Sequence, residues 1–149
     1  MATWREMADE VPDFAADVAQ RFAARKHATL ATLRKDGSPR ISGTEVELDG
    51  DEVWLGSMPG ALKALDLRRD PRVALHSPTV DPSDDDPSAW PGEAKIAGRA
   101  IEVHGGLPDG AHRFRIDITE VVLTRVGRPA DHLLIRSWHP GRGLEERHR

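Results

Sequence analysis

Apolar residues recur every fourth position at Phe14, Val18 and Phe22, behind a proline at position 12 suited to a first helical turn. This spacing predicts an amphipathic helix over 12–25. From there the period shortens to two. Residues 27–34 are small and apolar on alternating sides, which predicts a strand covered on both faces. A Lys35-Asp36-Gly37-Ser38 turn leads into a second strand at 40–48, and Asp49-Gly50 turns the chain into a third at 52–57. After Met58-Pro59-Gly60, residues 61–69 read as a helix that Pro71 forbids from continuing. Strands at 72–77, 94–104, 113–126 and 133–138 follow, with Phe114, Ile116 and Ile118 alternating against Arg115, Asp117 and Thr119.

Six or seven strands joined mostly by short turns, with one helix before them and one inserted after the third, predict a mainly β fold. The arrangement is a closed or nearly closed antiparallel barrel in a single domain spanning residues 1–149. Residues 1–10 carry no pattern, and 139–149 are polar and basic, so both ends are expected to be peripheral. Gly43 and Gly98 stand in the middle of strands. Gly98 predicts a bend, and Gly43 either a bulge or a place where a ligand comes close to the backbone. The loop 78–93 is rich in Pro and Asp. Its run Asp84-Asp85-Asp86 lacks the Gly and distal Glu of a helical calcium loop and reads as solvated.

Composition narrows the chemistry. The chain of 149 residues has no cysteine, which excludes disulfides, thiolate metal sites and thiol catalysis, and no tyrosine, which removes that phenol from any acid–base scheme. A net charge of −4 argues against a broad nucleic-acid footprint. No apolar run is long enough to span a membrane and no secretory signal opens the chain, so a cytoplasmic protein is expected. The seven histidines lack HxxxH or HxH spacing, so no metal site is expected.

The stretch 56–75, GSMPGALKALDLRRDPRVAL, carries the candidate site. A glycine turn that delivers the chain into a helix leaves free N–H groups and the positive dipole end facing outward, and Lys63 in the first turn adds a full charge; both suit a phosphate. The stretch is neither a Walker loop nor a GxGxxG dinucleotide fingerprint.

In order and spacing, 28–33 (ATLATL), 36–40 (DGSPR), Lys63 and 70–75 (DPRVAL) resemble the flavin-binding split barrels related to pyridoxamine 5'-phosphate oxidase. The likeness covers roughly residues 10–104. It implies a homodimer with a flavin site between subunits, small-molecule chemistry, and FMN as cofactor, or F420 as in some relatives. By position, Arg40 and Lys63 match residues that hold the flavin phosphate, with Ala61 and Leu62 at the helix start beside them. Ile41, Ser42 and Gly43 match the strand along the isoalloxazine ring, and Ser57 a hydroxyl near the phosphate. Trp138 matches a late tryptophan that touches the cofactor from the partner subunit. The chain departs from vitamin B6 oxidases at Leu62, where they carry an arginine, and in lacking their C-terminal substrate-binding segment. The resemblance therefore implies a flavin oxidoreductase moving hydride between FMN and an unidentified small substrate, an F420-dependent reductase on the same fold, or a non-catalytic flavin binder. No catalytic side chain is assigned.

Overall fold

A computed structural model describes residues 1–107 and 110–149; Pro108 and Asp109, within the turn expected over 105–110, lie outside the described residues. In chain order the elements are α1 (Trp4–Glu10), α2 (Pro12–Ala23), β1 (His27–Leu33), β2 (Pro39–Leu48), β3 (Val53–Ser57), α3 (Leu62–Arg69), β4 (Arg72–His76), β5 (Glu93–Glu102), β6 (His112–Val126), β7 (Leu133–His139) and β8 (Gly143–His148).

All strand pairs are antiparallel, in the order β3-β2-β1-β4-β5-β6-β7-β8, and a further β3–β6 pairing closes the first six into a barrel. The expected mainly β barrel, with a helix inserted after the third strand, is what forms. Strand β6 makes closure possible because it is long enough to serve two partners. Its first residues, His112 to Arg115, pair with β3, and Val121 to Val126 pair with β7. Halfway along, the ladder to β5 shifts register between Ala97 and Gly98. A Cβ on Gly98 would lie 2.1 Å from the Asp117 carbonyl oxygen, so the predicted bend is a bulge that only glycine fits.

The alternating apolar residues fill the barrel. Leu30, Val53, Leu55, Leu75, Ile96, Phe114, Ile116 and Ile118 are all buried. Helix α2 lays Phe14, Val18 and Phe22 on this core, as its four-residue spacing requires. Each fully buried side chain of this size contributes about 1.5–3 kcal/mol.

Both chain ends differ from expectation. Thr3 and Glu6 form a capping box that starts α1, whose Trp4 and Met7 are buried, and Ala2 pairs through its backbone with Ile118. Seven helical residues are too few to show a period, which is why the sequence carried no signal. The basic tail forms β8 on β7, turned by glycines with positive φ at 141 and 143. Its side chains are largely exposed, so backbone pairing with β7 is its main hold.

Candidate functional site

Strand β2 has two unequal edges. On one side it pairs with β1 from Pro39 to Glu45, while on the other it pairs with β3 only from Val46 to Leu48. Beyond the Val46–Leu55 pair the two strands part, and the edge of β2 at Gly43 is left without a strand partner. Unpaired backbone groups at such an edge need another donor. Lys63, in the first turn of α3, supplies one: its Nζ donates to the Gly43 carbonyl at 2.9 Å. Of the three ammonium donors this uses one. At Gly43 the β1 ladder continues without a register shift, and a Cβ there would meet nothing within 4 Å. The glycine marks open space, not a bulge.

A groove of about 640 Å³ occupies the gap, lined among others by Gly43, Ser57, Lys63 and His112 at one end and Glu47, Trp54 and Arg113 at the other. Helix α3 has no side-chain cap, and among the described residues the amides of Leu62 and Lys63 find no backbone acceptor. The Ser57 Oγ is enclosed yet, among the described residues, has no hydrogen-bond partner. A buried hydroxyl left unpaired costs stability, so this atom is suited to a ligand. At the far end Arg113 lies 3.9 Å from the Trp54 ring centroid and 3.8 Å from Glu47, which neutralises that carboxylate. Glu45 is likewise paired with Lys26 at 3.5 Å.

The structure brings Gly43, Ser57 and Lys63 together and sets the other sequence-matched residues apart. Arg40 is taken up by α3 itself, where its Nε donates to Asp66 Oδ2 at 2.7 Å. Asp66 also accepts from Thr32 Oγ1 at 2.7 Å and from Arg69 at 2.8 Å. Burial would raise the Asp66 carboxyl, but the hydrogen bonds from Arg40, Thr32 and Arg69 outweigh it and hold the group below the usual carboxylate range. Arg40, Leu62 and Asp66 line a second groove with Arg34, Lys35 and Arg69. Ile41 faces outward and is exposed, Ser42 is half-buried, and Ala61 is the α3 N-cap. Trp138 is 1% exposed within its own chain, its Nε1 donating to Glu10 Oε2 at 3.1 Å.

Two groups of the site escaped sequence reading. Asp66 looked like an ordinary polar helix residue, although it sits between Ala64 and Leu67 on the buried side of α3. His112 did carry a signal: it continues inward the alternation of Phe114, Ile116 and Ile118, so a titratable ring had to meet the barrel mouth.

No match to a curated protein reaches significance. Among solved structures, the chain is similar to a pyridoxamine 5'-phosphate oxidase-related, FMN binding protein from Nostoc punctiforme PCC 73102, at 10% identity and TM-score 0.67 over 97% of this chain and 98% of that one. It is also similar to PhzG from Burkholderia lata 383, solved in complex with tetrahydrophenazine-1-carboxylic acid, at 11% identity and TM-score 0.64 over 93% and 88%. An F420 reductase aligns at 15% identity and TM-score 0.51, over 68% of this chain and 94% of that one. These likenesses establish a shared fold. The family profile described as pyridoxamine 5'-phosphate oxidase matches residues 14–119, well over half of the sequence. Together with the barrel and the gap between β2 and β3, this match places the chain in the pyridoxamine 5'-phosphate oxidase family.

Proposed function

We propose that the chain is an FMN-binding oxidoreductase whose cofactor lies in the groove between β2 and β3. The observation that carries this reading is the enclosed Ser57 Oγ beside Lys63, which among the described residues has no partner, at a place where the amides of Leu62 and Lys63 likewise find no backbone acceptor among those residues. These are donors without an acceptor, which is the chemistry a phosphate group satisfies. Lys63 and Ser57 would hold the phosphate, and the free edge of β2 at Ile41, Ser42 and Gly43 would border the ring. A flavin bound there supplies the hydride chemistry from its own ring system, so the chain needs to anchor it, exclude water and leave one face open to a small substrate. Arg40, tied to Asp66, positions α3 instead of touching the phosphate.

The partner in this reading is a second copy of the chain. Ile41 (75% exposed), Met58 (80%), Leu62 (58%) and Leu65 (42%) place large apolar side chains on β2, on the turn before α3 and on α3 itself, flanking both grooves. Covering them would complete the site from outside. No helix of the described residues is long and apolar enough to cross a membrane, and the reading places the protein in the cytoplasm.

F420 is the second reading, supported by the F420 reductase that shares the fold. The absorption spectrum of the protein purified from a host that makes both cofactors tests the choice. A two-band flavin spectrum is expected; a single deazaflavin band would replace FMN by F420, and a protein that takes up neither cofactor on titration would refute the proposal.

A further inference from the structure

His112 lies at the groove wall opposite Ser57, its cross-strand partner in the β3–β6 ladder, so both side chains share one face. Its ring is 6% exposed. The Nδ1 faces Glu102 Oε1 at 3.4 Å, and Glu102 is itself clamped by Arg68, whose Nε and Nη2 donate to its two oxygens at 2.8 and 2.7 Å. The Arg68 hydrogen bonds, against the opposing effect of burial, hold the Glu102 carboxyl down at about 2. An ionised carboxylate can only accept, so Nδ1 of His112 carries the proton that faces it. Nε2 is then the free position of the ring, and among the described residues it has no partner.

The charges around it favour an anion. Glu102 is neutralised by Arg68, and the groove's other carboxylates, Glu45 and Glu47, are paired with Lys26 and Arg113. Among the described residues, what this end offers is Lys63, the enclosed but unpartnered Ser57 hydroxyl and the His112 ring. We infer that His112, held by Glu102, is a third side-chain ligand for the phosphate-bearing end of the molecule in this groove, beside Lys63 and Ser57. The inference rests on the flavin reading for the identity of that molecule but not for its phosphate.

A phosphate oxygen at Nε2 favours the imidazolium, which donates from both nitrogens. In the bound state both ring nitrogens of His112 are then expected to carry protons. The groups facing the ring are Glu102 from β5, Lys63 and Arg68 from α3, and Ser57 from β3, with His104 behind Glu102.

The test has two arms. In the first, inorganic phosphate is titrated into the wild-type protein while the ring nitrogens of His112 are followed by NMR, with His112→Gln used to assign them. Phosphate is expected to shift both nitrogens towards the doubly protonated form. In the second, FMN and riboflavin are titrated into His112→Ala and His112→Gln. The alanine variant should weaken FMN about tenfold and leave riboflavin unchanged, and the glutamine variant, an uncharged donor, should restore much of the loss. A protein that binds neither flavin while phosphate still moves His112 would defeat the flavin reading and uphold this one. A His112 ring indifferent to phosphate, or equal losses of FMN and riboflavin, would overturn the assignment.

Discussion

Asp66 fixes what its neighbours can do, because a carboxylate with a side chain only 4% exposed must keep its partners or lose much of the helix seat. Replacing it with alanine would leave Arg40 and Thr32 facing an apolar void, and breaking a buried charge pair of this kind costs about 3–5 kcal/mol. A urea midpoint measurement should show a loss near the lower end, since Arg40 keeps some exposure. Arg40→Ala should also lower the midpoint, and should weaken FMN and riboflavin alike; a loss confined to FMN would return Arg40 to the phosphate. Glu102 carries a pH signature. Its folded pKa of about 2 lies below the ordinary 4.5, so its contribution to stability is complete above about pH 4.5 and disappears as pH falls towards 2. Glu102→Gln should flatten the acid limb of the stability curve in that window, and an unchanged limb would contradict the ion pair with Arg68. At this scale the sequence pointed to Lys63 through a turn, a helix start and a basic first turn, and to Ser57 only through the family resemblance. It could not announce that Asp66 engages Arg40, because that depends on which side of α3 meets the barrel.

The elements were legible wherever a period ran long enough to repeat. Strands β1 to β7 and helices α2 and α3 follow from alternation, four-residue spacing and glycine or proline punctuation. The elements that were not legible, α1 and β8, each depend on a surface elsewhere in the chain: Trp4 and Met7 need the finished core, and β8 needs the edge of β7. Gly98 shows how far local reading reaches. Its place inside a strand pattern marked a bend, and the structure supplies the reason in the Asp117 carbonyl pressed against it. Gly98→Ala should force the β5–β6 ladder to shift and destabilise the protein by about 1–3 kcal/mol, as overpacking does. A midpoint equal to wild type would mean that the bulge is loose.

The whole molecule is a six-stranded barrel opened at one seam, and its function is argued from that seam. Its exposed apolar residues beside both grooves predict a dimer, with a light-scattering mass near twice the 16.4 kDa of one chain. A mass of one chain with cofactor bound would mean that a single subunit completes the site. The central claim is that the seam holds a flavin by its phosphate, and Lys63→Ala tests it most directly when titrated with FMN and with riboflavin. A charge-assisted contact of about 1.5–3 kcal/mol predicts a ten- to hundredfold loss for FMN, with riboflavin affinity unchanged and the fold intact. Equal weakening of both ligands, or of neither, would contradict the account.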